Sequence, residues 1–153
     1  MNYTETTAPG LSALAISGAL HRVQACKTIL VVEDDAFVRQ MIYEILEAAN
    51  YRVLKCANAT QAKVIFRQYG DIVDLLLVDV VLPGESGREL ARDLMEVDSE
   101  LKVLLVSGYA ENLQLEEGTA SNQVFCLPKP FSSESLVRKI WQVTSTIVGE
   151  VAI

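Results

Sequence analysis

Polar groups of three kinds stand where apolar runs of this chain stop. Glu33 and Asp34, with Asp35 beside them, follow Ile29-Leu30-Val31-Val32. Asp79 closes Leu75-Leu76-Leu77-Val78. Ser107, then Gly108, closes Val103-Leu104-Leu105-Val106, and Lys129, then Pro130, stands just beyond the run Gln123 to Leu127. Carboxylates crowded together at low dielectric repel one another. A hard divalent cation with oxygen ligands removes that repulsion, and Mg2+ is the common choice where phosphate is handled. A lysine and a hydroxyl on the same rim can hold phosphate oxygens. A carboxylate so surrounded suits phosphoryl transfer to an aspartate. Asp79 attacks phosphorus, the cation and Lys129 neutralise the equatorial oxygens, and Ser107 donates a hydrogen bond to one of them.

Taken singly, each residue has a plainer reading. Asp34 or Asp35 serves equally as the cap of a following helix. Asp79 can cap a turn, Lys129 can be a solvated lysine and Ser107 a loop hydroxyl. The combination is more specific than any member, because four different runs each end in a group that this chemistry requires.

The elements that must bring these ends together are legible in the hydrophobic pattern. Short apolar runs at 27–32, 51–56, 74–78, 102–106 and 123–127 read as strands, beginning roughly every 21–28 residues. Between them lie amphipathic segments with helical spacing. The first, 35–49, carries Phe37, Val38, Met41, Ile42, Ile45, Leu46 and Ala49. The second starts at a capping box formed by Asn58 and Gln61, carries Ala62, Ile65, Phe66 and Tyr69, and ends at Gly70. The third, 87–97, turns Leu90, Ala91, Leu94 and Val97 inward, and a short weak helix is expected over 110–117. The last, 132–148, has Ser132 as its cap, Phe131 and Leu136 as a hydrophobic staple, and Leu136, Ile140, Val143 and Ile147 as its buried stripe; Trp141 on it is expected to pack. Strict alternation of strand and helix means an α/β protein with a doubly wound parallel sheet, right-handed crossovers and helices on both faces. Five strands suit the flavodoxin-like order 2-1-3-4-5, which makes strands 1 and 3 neighbours and places ligand chemistry beyond their carboxyl ends.

Length and charge narrow the function. The chain has 153 residues, half of them hydrophobic, and a formal net charge of −7, which fits one globular domain. An acidic chain without a Lys/Arg cluster is a poor partner for nucleic acid or an anionic membrane. Three scattered cysteines, no CxxC and a single histidine, His21, argue against zinc and for reduced, buried thiols in a cytoplasmic protein. No apolar run is long enough for a membrane span, and no secretory signal is expected. Residues 1–26 differ in composition and read as a flexible or weakly helical lead, 27–148 as the folded domain, and 149–153 as a tail.

The sequence resembles the receiver (response-regulator) domain of two-component signalling. The stretches that carry the resemblance are ILVVEDD at 29–35, LLLVDVVLPGESG at 75–87, VLLVSGYA at 103–110 and LPKPF at 127–131. The resemblance implies that Asp79 is the phosphoacceptor and Asp34 a direct Mg2+ ligand, with Glu33 acting largely through water and the backbone carbonyl of Val81 as a further ligand. It implies that Ser107 is the switch hydroxyl, that Lys129 contacts the phosphoryl group, that the Lys129–Pro130 peptide is cis, and that Gly108 keeps the approach to phosphate open. It also implies a phosphodonor histidine on a partner, a histidine kinase or histidine phosphotransfer protein. Output would pass to a downstream protein through the face of the fourth helix, fifth strand and last helix, from a monomer or weak homodimer.

Two departures bear on function. Receivers commonly carry Tyr or Phe three residues before the lysine; here Cys126 occupies that position with Phe125 beside it. Either the ring switch is absent or weakened, which is the reading preferred, or a bulge brings Phe125 into the role. Val81 and Tyr109, two residues after Asp79 and Ser107, offer no carboxylate or amide to orient an attacking water, so a slowly hydrolysing phosphoaspartate is expected. A receiver-like scaffold that takes no phosphate is the alternative. An aspartate-nucleophile phosphatase fits poorly, because those enzymes resemble DxD on the first strand. Nucleotide binding has no glycine-rich motif to support it.

Overall fold

The computed structural model describes residues 26–108 and 122–145. The lead, Tyr109, the helix expected over 110–117, Ile147 and the tail lie outside the described residues. The strands are β1 (Thr28–Val32), β2 (Arg52–Cys56), β3 (Leu75–Asp79), β4 (Lys102–Ser107) and β5 (Val124–Pro128). The described helices are α1 (Ala36–Ala48), α2 (Ala59–Tyr69), α3 (Gly87–Val97) and α4 (Ser133–Ser145), and a 3-10 turn, Gly70–Ile72, follows α2. All strand pairs are parallel, in the order β2-β1-β3-β4-β5.

Alternation along each strand builds two cores. Leu30, Val32, Leu76, Val78, Val103 and Leu105 point to the face covered by α2 and α3, where Ala62, Phe66, Leu90 and Leu94 meet them. Ile29, Val31, Leu75, Leu77, Leu104 and Val106 point to the opposite face, against Ile42 and Leu46 of α1 and Leu136, Ile140 and Val143 of α4. Both faces are thus apolar, which is why these runs are continuous and not alternating. Each such side chain taken fully from water contributes about 1.5–3 kcal/mol.

Local signals set the element ends. Asp35 is the N-cap of α1, its Oδ1 accepting from the amides of Phe37 and Val38; this leaves Asp34 free of the capping role. Asn58 caps α2 through the Gln61 amide, while Gln61 Oε1 accepts from Ala57 N. Ser86 and Glu89 form a full capping box on α3, at the S-x-x-E spacing that such a box requires. Ser132 accepts from Ser135 N at the start of α4. At the amino end of the sheet Asp74 Oδ2 accepts from Thr28 N at 2.8 Å and Asp74 N donates to Thr28 O. That pair pins the β1–β3 register from below.

Several side chains expected inside are outside. Phe37 is 80%, Val97 76% and Trp141 65% exposed, and Tyr69 and Met41 are partly so. Phe37, Tyr69 and Val97 stand in the terminal turns of their helices, and Trp141 lies well round α4 from Leu136, Ile140 and Val143. Cys26 is exposed too, whereas Cys56 is buried with Sγ against the carbonyls of Val31 and Asn58. Burial pushes the Cys56 thiol up to about 11, so little thiolate forms at neutral pH. Iodoacetamide should therefore alkylate Cys26 in the native protein and leave Cys56 untouched until denaturant is added, as peptide mass mapping would show. No helix among the described residues is long and apolar enough to cross a membrane.

Candidate functional site

Strand register carries the site. Val32 pairs with Val78, so Glu33 and Asp79 leave their strands side by side. Asp79 pairs with Val106, one residue before Ser107, and Ser107 pairs with Pro128, one residue before Lys129. Four strand ends therefore converge at one edge of the sheet, next to the β1–β3 junction where the connection direction reverses.

The side chains meet there. Glu33, Asp34 and Asp79 each offer a carboxylate oxygen, and the three oxygens lie within 4.8 Å of one another. Glu33 and Asp79 are buried and Asp34 is exposed. Lys129 Nζ donates to Asp79 Oδ2 at 2.6 Å and to Glu33 Oε2 at 3.1 Å. Asp79 Oδ1 accepts from the Val81 amide at 2.9 Å. Ser107 is buried, and its carbonyl accepts from Lys129 N at 2.9 Å, locking the β4 and β5 ends together. The Lys129–Pro130 peptide is cis. Among the described residues, a side chain added at Gly108 would meet nothing within 4 Å.

Electrostatics register the crowding. Burial, and then the neighbouring Asp79 carboxylate, push Glu33 up to about 7, against the pull of Lys129. Burial alone would lower Lys129, but its hydrogen bond to Asp79 and the charges of both acids outweigh that, and its pKa is raised. A single ammonium is shared by two carboxylates while a third lies within reach. Three hard oxygen donors with surplus negative charge fit a divalent cation of the Mg2+ type. When bound, such an ion supplies positive charge opposite Lys129 for the oxygens of a transferring phosphoryl group.

Some contributors were invisible in the sequence. A Cβ at Gly87 would sit 2.1 Å from Asp79 O and 2.9 Å from Asp79 C, so only glycine lets α3 start against the end of β3. The Gly87 amide donates to Val80 O at 2.9 Å across the same contact. Arg39 of α1 reaches back to the carbonyls of Glu33 and Asp34. Neither residue type announces such a role without coordinates.

At the departures from the usual pattern the geometry is definite. Leu104 pairs with Phe125, Leu105 with Cys126 and Val106 with Leu127, one for one and without a bulge. Phe125 packs against the α1–α4 core, with Lys139 Nζ 5.9 Å from its ring centroid, whereas Cys126 packs against the α2–α3 core. The two side chains are on opposite faces of the sheet, and no aromatic ring stands where Cys126 is.

A five-stranded doubly wound sheet with an acidic cluster, a hydroxyl and a lysine at its carboxyl edge defines the class of receiver-type signalling domains. The sequence model of the response regulator receiver domain matches residues 29–141, and the chain belongs to that family. It is 35% identical over 114 residues to the response regulator receiver protein CpdR of Brucella abortus, covering 74% of this chain and 93% of that protein. It is 34% identical over 113 residues to the sensor kinase CckA of the same organism, covering 74% of this chain but only 12% of the kinase. Among solved structures, the receiver domain of the hybrid histidine kinase CckA superposes with a TM-score of 0.65 at 30% identity, over 76% of this chain and 98% of that one. The response regulator TrrA of Thermotoga maritima, solved in complex with Mg(2+)-BeF, gives 0.66 at 25% identity over 76% of this chain and 98% of that one.

Proposed function

We propose that this domain, residues 27–148, is a cytoplasmic phosphoacceptor. In this reading Asp79 takes a phosphoryl group from a phosphohistidine on a histidine kinase or histidine phosphotransfer protein. The observation that carries it is the meeting of three carboxylate oxygens within 4.8 Å with Lys129 on Asp79 at 2.6 Å. Asp79 Oδ2 forms the new O–P bond as the P–N bond to the donor imidazole breaks, and the imidazole keeps the electron pair and takes a proton. Oδ1 stays on the Val81 amide, which orients the carboxylate for attack. Lys129 moves from the carboxylate to a phosphoryl oxygen, and the Ser107 hydroxyl donates to another. Glu33, Asp34, Asp79 and the Val81 carbonyl would hold Mg2+, Glu33 largely through water, and the ion would supply positive charge to the phosphoryl oxygens.

The transfer is tested by incubating the protein with acetyl phosphate, with and without Mg2+, and recording the intact mass. One added phosphoryl group that appears only with the cation supports the reading. No uptake under either condition would refute it.

Signalling then follows movement of Ser107 and the β4 end, without an aromatic ring at position 126 to report it. A beryllofluoride-bound structure with Phe125 turned toward the α2–α3 core would contradict this. Output passes to a protein partner through the surface of the expected helix 110–117, β5 and α4, where Trp141 is exposed, from a monomer or weak homodimer. The side chain of Val81 beside Asp79 is 54% exposed and apolar. Neither Val81 nor Tyr109, the other flanking residue in the sequence, carries a carboxylate or amide that could orient water for hydrolysis. Labelled phosphoprotein should therefore persist for minutes or longer; decay within seconds would reject this point.

A further inference from the structure

Glu33 and Asp34 are consecutive, yet their carboxylates face one cluster with Asp79. Consecutive side chains in an extended strand point to opposite faces. The chain must therefore leave the strand conformation at Glu33 and hold a bend through Asp35. Few interactions hold it: Glu33 N donates to Cys56 O at 3.1 Å, and Asp35 N to Glu33 Oε1 at 3.3 Å. The third is Arg39. From the first turn of α1 its Nη1 donates to Glu33 O at 2.8 Å and more loosely to Asp34 O at 3.4 Å. Its amide is tied to Asp35 O at 2.8 Å, so the side chain springs from a fixed turn. Among the described residues the guanidinium donates to these carbonyls and to no carboxylate.

We propose that Arg39 is a positioning residue of the cation site: by gripping the carbonyls of both acidic residues it keeps the Asp34 carboxylate turned toward Asp79. Both bonds leave Nη1, whose hydrogens are held in the guanidinium plane, and a flexible ammonium on a shorter stem holds two adjacent carbonyls less well. Because the grip is on backbone, Arg39 itself occupies none of the cluster's carboxylate oxygens.

Electrostatics alone predicts the opposite sign. A guanidinium near three carboxylates repels a divalent cation, so its removal would tighten binding. As a positioning residue its removal loosens binding, because exposed Asp34 then samples orientations away from Asp79. The proposal rests on the reading of Glu33, Asp34 and Asp79 as a Mg2+ site.

The test is Mg2+ titration by calorimetry on the full chain, comparing wild type, Arg39→Lys and Arg39→Ala, with thermal melting in EDTA as the control for folding. Loss of a group that orients a metal ligand should weaken binding about tenfold in Arg39→Ala. Arg39→Lys, which keeps the charge and loses the planar guanidinium and its reach, should fall between it and wild type. Arg39→Ala binding as tightly as wild type, or more tightly, overturns the proposal. So does Arg39→Lys equal to wild type, a comparison that stands even if the alanine variant does not fold. Wild type binding no Mg2+ would instead refute the cation site itself.

Discussion

Asp79→Asn is expected to take up no phosphoryl group from acetyl phosphate under conditions in which the wild type is modified within minutes. The substitution keeps the shape of the side chain and removes its nucleophilicity, since an amide oxygen carries no charge to deliver to phosphorus. The Asn side chain can still accept from the Val81 amide, now held by Asp79 Oδ1 at 2.9 Å, so the strand end should keep its course. Lys129 loses its 2.6 Å partner but retains Glu33. Relief of carboxylate crowding around Glu33, whose pKa burial and Asp79 together raise to about 7, offsets part of that loss. Folding should therefore be preserved while Mg2+ affinity falls, a pairing that circular dichroism and calorimetry would separate.

Gly87→Ala is the substitution expected to damage the fold most for its size. The new methyl carbon would lie 2.1 Å from Asp79 O, 2.9 Å from Asp79 C and 3.0 Å from Val80 Cα. All three are backbone atoms and cannot rotate aside. Either α3 shifts away from β3 or the end of β3 moves, and Asp79 moves with it. Overpacking of this kind costs about 1–3 kcal/mol and occasionally more, a large share of the roughly 5–15 kcal/mol that holds a domain folded. Gly70→Ala is the matched control. The three atoms nearest its Cβ would all belong to the Phe66 ring, at 3.2–3.3 Å, a side chain able to give by a few tenths of an ångström, and Gly70 already has helical φ and ψ. Urea unfolding should show Gly87→Ala clearly destabilised and Gly70→Ala near wild type. Equal midpoints would contradict the clash.

The strands were legible because a sheet buried on both faces leaves uninterrupted apolar runs, and none of the five was displaced by more than one residue. Strand ends were legible for the same reason: a polar group that closes such a run is conspicuous. Helix faces were read less well. Periodicity places Phe37 and Val97 beside buried neighbours, but it does not say how far the sheet extends beneath a helix end, and both side chains stand in solvent. The capping of α1 was left open between Asp34 and Asp35, since either carboxylate is chemically suited; only the amides of Phe37 and Val38 on Asp35 decide it. Arg39 left no trace in composition or spacing, and Gly87 stood in the 75–87 stretch with nothing to show what its missing side chain allows. Their contacts are to backbone atoms of other elements, and backbone positions are fixed by the whole fold. The bulge that would have carried Phe125 across the sheet was equally undecidable until the β4–β5 pairs were known.

In the proposed function Asp79 is the residue that receives phosphorus. Treatment of the acetyl phosphate-modified protein with borohydride reduces an acyl phosphate to the alcohol, so the acceptor is marked permanently and can be located by peptide mass spectrometry. Homoserine at position 79, formed only when Mg2+ was present during modification, is the predicted result. A mark at Glu33, Asp34 or any other residue, or an unmodified Asp79 in protein that has gained a phosphoryl group, would contradict it.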